Sequence, residues 1–466
     1  MANWETFTVR EIVGRISDGN IVLPVIQRRL VWEDDKMEAL FDSLFQQNSF
    51  GSIICIEEES GLMPLFAHRL FTQDGSDTNS VNVSTTNKTL LFVIDGQQRL
   101  QSFYIGLYGT FQGKTMHYDL FSDYKKLEHD FKFAASSDAL PKINSERSER
   151  ITASDSKKLQ IIGETLWFPA PLLFTMLKKV ANPKAIAANI IKIFTKRGRI
   201  DDELRDLKKE HILENVRDFK DRIFVDKSIG ISTVEAHMCE ELDDDRLRIV
   251  EMFQRLNSNG TRLSSYDLVA STLKGFDYRM ESFLDNVTRQ NESMGINQDI
   301  MIKMLMVLND KPNKGMLDMT AQDAAFATDN LERIQATLDT LRAFLKASKH
   351  EEWFASVNRS AIPLYFLAYY IFYQSDNPAE LRKLFTKFDT NSKSFQDMSL
   401  WLKLSLLNGV FKSKSGWRPD TTGMKKIHEI MKASRGGKFP VASLIDLYNE
   451  RLKHFFDHKH ITPECL

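Results

Sequence analysis

The sequence predicts an α+β unit at the N-terminus carrying a helical insertion, followed by a region built from helices alone. Three observations predict it. Over about residues 7–109, short β-rich runs such as Ile53–Ile56 and Leu90–Ile94 alternate with segments of helical spacing. From about 110 to 224 the chain becomes charged and mostly helix-forming, and a β-type run returns between Ile223 and Val234. Beyond Gly275 the apolar residues hold helical spacing throughout. The boundaries drawn from this are 1–110 for the α+β core, 111–275 for the insertion and its closing segment, and 276–466 for the helical region.

Each element has a local reason. Val9–Ile16 reads as a helix, and Ile21–Leu23 as a short strand stopped by Pro24. Asp34 and Asp35 open a helix on which Met37, Leu40, Phe41, Leu44 and Phe45 share one face. Gly61–Leu70 has room for a further strand, and the polar run Thr72–Lys88 reads as a loop. In the insertion, Ser136–Lys158 reads as an exposed loop, and Ala185–Thr195 and Asp201–Lys220 as helices. Gly230 interrupts the β-type run that follows, and Glu240–Leu256 is helical again. Asn257–Gly260 is a strong turn signal and helix stop, and Ser264 with Asp267 fits a capping box for the next helix. Later helices are expected at 299–308, 321–346, 362–374, 376–389 and 399–407, with no internal repeat and no sustained heptads.

Composition narrows the classes. The 466 residues exceed a usual single domain, and 42% hydrophobic with 27% charged residues is ordinary for a globular chain. A net charge of −1 gives no global field toward nucleic acid, so any such binding needs local patches. Cys55, Cys239 and Cys465 form no CxxC pair and no disulfide framework. The first residues lack a signal-peptide pattern, and no apolar run is long enough to span a bilayer, so a cytoplasmic protein without membrane partners is expected. No GxxxxGK[ST] loop and no HExxH occurs, which argues against a Walker-type NTPase and a zinc site.

The richest segment is Val93–Leu100, VIDGQQRL. An apolar strand runs into Asp95-Gly96-Gln97-Gln98-Arg99, and helical spacing resumes at once from Leu100 to Leu107. A strand, tight turn and helix place a carboxylate, two amides and a guanidinium beside free helix N–H groups. Gly96 lets a phosphate approach the backbone, Arg99 can grip its oxygens bidentately, and Asp95 can ligate Mg²⁺ or orient a water. Gln97 and Gln98 suit water positioning or base reading. The plainer alternative is a capped turn with a structural ion pair.

Two more signatures accompany it: LPVIQRRLVW from Leu23 to Trp32, and FQRLNSNGTRLSSYD from Phe253 to Asp267. Together, in this order, the three resemble the GmrSD-type restriction family, specifically its N-terminal "DGQQR" domain of the ParB/sulfiredoxin-like superfamily. The resemblance covers roughly residues 8–275. It implies a role in restriction and antiviral defence against foreign DNA carrying modifications, an N-terminal domain that binds and hydrolyses nucleoside triphosphates, and a His-Asn-His nuclease that is fused or separate. The family commonly has an aromatic before Gln-Arg and another two residues after that Arg; Ile26 and Leu30 stand there. Sulfiredoxin-like proteins use a cysteine beside the equivalent arginine, and none lies in or next to this motif, which argues against cysteine chemistry.

Further candidates carry a plain alternative each. Gln27 and Arg28 suit nucleotide contact, Arg28 as a second phosphate clamp, while Trp32 reads as a core anchor or a base-stacking ring. Arg255, Asn257, Asn259 and Gly260 suit a loop that closes over a nucleotide, or simply a helix C-cap. Lys412, Lys414, Trp417, Arg418, Lys425, Lys426, Lys432, Arg435 and Lys438 form a basic, aromatic and glycine-bearing segment suited to nucleic-acid phosphates, or a solvated face. His460-Ile461-Thr462-Pro463 resembles the first strand of the family's nuclease, but its continuation does not follow, so nuclease activity is not expected of this chain. The resulting expectation is an NTP- and Mg²⁺-dependent sensor subunit of a restriction system. It would recognise DNA, act with a separate nuclease and form a homo-oligomer. The alternative is a non-enzymatic DNA sensor whose turn holds a DNA phosphate.

Overall fold

The computed structural model describes residues 3–142 and 164–449, apart from 28–29, 63, 77–80, 85–86, 199, 201, 258–269, 272, 276, 278, 313–319, 356–360, 388–391, 408–410 and 412–423. The chain divides into two compact units, Met1–Asn257 and Ser258–Leu466.

The first unit is a mixed α/β fold. A six-stranded sheet contains β1 (Asn3–Phe7), β2 (Ile21–Pro24), β3 (Ile53–Glu58), β4 (His68–Arg69), β5 (Leu90–Asp95) and a late strand at Ile229–Glu235. The order is β1, the late strand, β3, β5, β2, β4. β2 runs parallel to β5, with Val22 opposite Phe92, and β3 runs antiparallel to β5, with Ile54 opposite Asp95. The late strand is parallel to β3 and antiparallel to β1. Leu90–Ile94 are buried along their whole length, as a central strand covered on both faces requires.

Three helices cover the core of this sheet. α1 (Val9–Ser17) starts with a capping box, in which Thr8 Oγ1 accepts from the Glu11 N–H at 3.1 Å and Glu11 accepts from the Thr8 N–H at 2.8 Å. On α2 (Asp34–Phe45) all five residues of the expected apolar face are buried. α3 (Gln97–Tyr108) follows β5 directly.

The insertion, read from sequence as mostly helical with one late β-type run, also contains a small sheet. It opens with a three-stranded antiparallel sheet in which β6 (Thr115–Asp119) lies between β7 (Phe131–Ala134) and β8 (Trp167–Pro169). Strands of three to five residues are too short for their alternation to stand out, even where Lys132 is exposed between buried Phe131 and Phe133. Rings hold them instead. Tyr118 stacks on Phe131 at 4.6 Å, and Phe45 of α2 meets Phe131 edge-on at 4.8 Å. The Tyr118 hydroxyl donates to Asn215 Oδ1 at 2.8 Å and lies 2.8 Å from His129 Nδ1.

Helices α4 (Ala170–Lys179), α5 (Pro183–Lys196) and α6 (Asp202–Lys220) follow. α6 widens into a π-helical turn at Asp221–Val225, so Ile223 is helical rather than part of a strand. Gly230 does not interrupt the last strand, β9 (Ile229–Glu235), but lies within it, facing the Trp4 ring across β1. α7 (Leu242–Asn257) packs against β5 and ends at the turn signal read from Asn257 onward.

The second unit is helical among its described residues. Helices include Arg279–Gln290, Gln298–Leu308, Leu331–Ala347, Ile362–Phe372, Lys393–Leu407 and Met424–Ala433. Ile362–Phe372 is buried all round and forms the centre of this core. Beside it, Asp310 accepts from Tyr369 Oη at 2.7 Å and Arg435 at 2.5 Å, lies 3.0 Å from His428 Nε2, and pairs with Lys432 at 3.0 Å. The Arg435 guanidinium also lies over the Tyr373 ring at 3.5 Å. No described helix is long and apolar enough to cross a membrane.

Candidate functional site

The register fixes which loops meet at one end of the large sheet. β2 and β5 are parallel, so their carboxyl ends point the same way, and they carry the first two sequence signatures. β3 is antiparallel to β5 and β9 is parallel to β3, so the segments entering β3 and β9 arrive at that same end. The ends of parallel strands, where a following helix also begins, are a recurring place for ligands.

Asp95 closes β5 and Gln97 opens α3, with Gly96 between them at φ 91°. That backbone conformation strains any L side chain, and an added Cβ would lie 2.3 Å from Ile53 Cδ1. Gly96 brings no capping side chain to the first turn of α3. The positive end of the helix dipole therefore meets the turn without a capping carboxylate or hydroxyl from the N-cap. Arg99 lies one turn further on. Its Nη2 meets Asp95 Oδ2 at 3.2 Å, and its Nη1 donates to the Phe50 carbonyl at 2.7 Å. Those contacts use two of the five guanidinium donors. The Arg99 side chain is 14% exposed while that of Asp95 is 42% exposed, so the carboxylate faces solvent and the guanidinium backs it. Burial pushes the Arg99 guanidinium below its ordinary value, and Asp95 opposes that shift.

The glutamines have a definite task in this geometry. Gln27 Nε2 donates to the carbonyls of Val93 at 2.9 Å and Ile94 at 2.5 Å. In the other direction, Gln98 Oε1 accepts from the N–H groups of Val31 at 3.0 Å and Trp32 at 3.3 Å. Each signature thus ties down the backbone of the other. Both amides position the turn, and Gln97 is buried beside them. Trp32 is partly buried against the core, which agrees with the anchor reading.

Other candidates separate in space. Arg28 lies outside the described residues, as do Asn259 and Gly260. Arg255 is on the exposed side of α7, 3.6 Å from Glu251, and Asn257 is the last residue of that helix. In the second unit Lys425, Lys426 and Lys438 are exposed, while Arg435 is turned inward to Asp310. Lys412, Lys414, Trp417, Arg418 and the His460 segment lie outside the described residues. The sequence reading missed the Gln46–Gly51 loop, whose Phe50 carbonyl holds Arg99 and whose Gly51 leaves no room for a Cβ beside Arg99 Nη1. The signal available was a polar run closed by a glycine between α2 and β3.

Among the described residues no group of three or more His, Cys, Asp or Glu side chains gathers as a metal cage. A half-exposed Asp95 still suits Mg²⁺, which is commonly held by one or two carboxylates together with substrate phosphates and water.

Fold and turn define a mixed α/β domain with one charged strand-to-helix turn at its sheet end, followed in the chain by a helical unit. Residues 9–274 match the GmrSD restriction endonuclease N-terminal domain, and the chain belongs to that family. It is also similar to an uncharacterized protein of Methanocaldococcus jannaschii, 24% identical over 319 residues. That match covers 67% of this chain and 50% of the relative, so the chain spans about half the relative's length.

Proposed function

We propose that this chain is the nucleotide-dependent sensor subunit of a DNA-restriction system, with the Asp95–Arg99 turn as its nucleoside triphosphate site on a ParB/sulfiredoxin-like plan. The observation that carries it is the turn itself. A solvent-facing carboxylate and a mostly buried guanidinium stand at the start of a helix, where two parallel strands end. Phosphate oxygens accept from Arg99 and from the first-turn N–H groups of α3. Asp95 would hold Mg²⁺ or orient the attacking water, and Arg99, with Arg28, would stabilise charge developing on the phosphate. Mg²⁺ supplies charge neutralisation when bound. The glutamines act by holding the two strand ends in register. The family membership supports a DNA-related partner and a role in restriction. Cutting would belong to a separate nuclease, and DNA recognition would involve the exposed basic residues Lys425, Lys426 and Lys438.

The test is phosphate release by the purified chain with each nucleoside triphosphate and Mg²⁺, with and without DNA. Release is expected from wild type and is expected to be lost in Asp95→Ala and Arg99→Ala. Equal background release from all three sinks the hydrolase reading. Retained DNA binding in that case supports the second reading, a sensor whose turn holds a DNA phosphate. The braced Arg99 guanidinium at the start of α3 is the observation it rests on, since it would grip a DNA phosphate as well as a nucleotide's.

A further inference from the structure

Beside the turn lies a second concavity that none of the three signatures contains. It is a groove of about 440 Å³ between the loop entering β3 and the segment entering β9. Its apolar lining residues are Leu44, almost fully buried, and Phe50, partly buried. Its rim carries Asn48, Ser49 and Ser228 as hydrogen-bonding groups, and Arg222 and Lys227 as cations. Arg222 is partly engaged by Asp226, which also lines the groove, whereas the Lys227 side chain is at the exposed rim. The walls depart from regular backbone on both sides. Gln47 has φ 60° and Gly51 φ 90°, and the opposite wall follows the π-helical turn at Asp221–Val225. Irregular geometry of this kind is retained where the surroundings over-determine it, and it clusters at functional sites.

We propose that this groove is a binding subsite for one nucleotide unit. A phosphate lies at Lys227 and Arg222, and the nucleoside lies over Leu44 and Phe50 within reach of Asn48 and Ser49. The volume falls within the range of small-ligand sites, and the apolar lining with its amide, hydroxyl and cationic groups matches a base, a sugar and a phosphate, the one lining carboxylate, Asp226, being held by Arg222 and leaving Lys227 as the open cation. The groove shares Phe50 and Gly51 with the Arg99 contact, so an occupant presses on the loop that holds the guanidinium of the turn. The proposal goes beyond the reading of Asp95–Arg99 and does not require hydrolysis there. The same chemistry is offered by a free nucleotide and by one residue of a nucleic-acid strand.

The experiment is direct binding to the full chain by fluorescence anisotropy, with a fluorophore-labelled ATP analogue in one arm and a short labelled single-stranded oligonucleotide in the other. Lys227→Glu reverses a charge, and Ser228→Trp fills the groove from an exposed position, so neither depends on repacking the core. Loss of about tenfold or more in affinity for one probe in both variants supports the proposal and names the source. Wild-type affinity for both probes in both variants overturns it, as does a wild-type chain that binds neither probe. Phosphate release reports the other reading separately. Wild-type and Lys227→Glu chains that differ in binding, while no chain releases phosphate, sink the hydrolase and keep the groove.

Discussion

Each unit of this protein contains an aspartate that meets an arginine, and the two pairs are built for opposite ends. Asp310 accepts from Tyr369 and Arg435, pairs with Lys432 and lies 3.0 Å from His428 Nε2, with only 27% of its side chain exposed. Burial alone would push its carboxyl up. The hydrogen bonds from Tyr369, Lys432 and Arg435 outweigh that and hold it at about 2. Asp95 is more open and meets Arg99 at 3.2 Å, while the arginine is fixed from behind by a backbone carbonyl. A carboxylate surrounded by donors has no capacity left for a ligand and acts as a bolt between helices. A half-exposed carboxylate beside a braced guanidinium keeps its capacity, which is what a binding turn needs. Counting acid–arginine pairs in a sequence cannot make this distinction, because it depends on how many other donors converge on the acid.

The comparison can be broken most severely at Asp310. Asp310→Ala leaves three cationic or ionisable partners and a tyrosine hydroxyl without their acceptor, and should cost about 3–5 kcal/mol in urea unfolding of the helical unit. A loss under about 1 kcal/mol would show that the cluster is no bolt. Next in size is Gly96→Ala, which forces a side chain into positive φ and against Ile53. It should destabilise the first unit by about 2–3 kcal/mol and weaken nucleotide binding together with stability. A variant as stable as wild type would mean the turn relaxes freely.

The pH dependence is third. The folded value of Asp310 lies below its ordinary 3.8, so its contribution is complete above that value and is lost as pH falls through about 2. Stability of the helical unit should therefore drop by about 2 kcal/mol from this group between about pH 4 and pH 2, and Asp310→Asn should remove that part of the slope. Asp95→Asn should change thermal stability by less than about 1 kcal/mol while abolishing phosphate release, which sharpens the contrast from the other side. Smallest is Lys425→Glu with Lys426→Glu. Stability should move by no more than about 0.5 kcal/mol, and DNA affinity should fall most at low salt. Unchanged affinity would return these lysines to a solvated face.

The sequence revealed what its periodicities and punctuation encode. The face of α2 and the strand–glycine–helix step at Asp95–Gln97 could be read residue by residue, because a 3.6 period and a turn glycine are local signals. The small sheet of β6, β7 and β8 could not, since its strands are only three to five residues long and β8 comes from distant sequence. Ile223–Val225, the second half of the π-helical turn, reads as β structure in the sequence because isoleucine, phenylalanine and valine in succession favour strands when nothing else intervenes. At the candidate site the motif and its strand–turn–helix setting could be read, but the hydrogen-bond partners of Gln27 and Gln98 could not. Whether an amide faces a ligand or a backbone depends on a partner 66 or 67 residues away.

That reciprocal clasp has a consequence for how binding is felt. The two amides join segments far apart in the chain, so the turn cannot take its shape until β2 and β5 have paired. Any ligand that favours the formed turn must then also favour the paired strands. Slowed amide hydrogen exchange at Val31 and Trp32, whose N–H groups donate to Gln98, would therefore report occupancy of the turn and serve as an internal gauge of ligation.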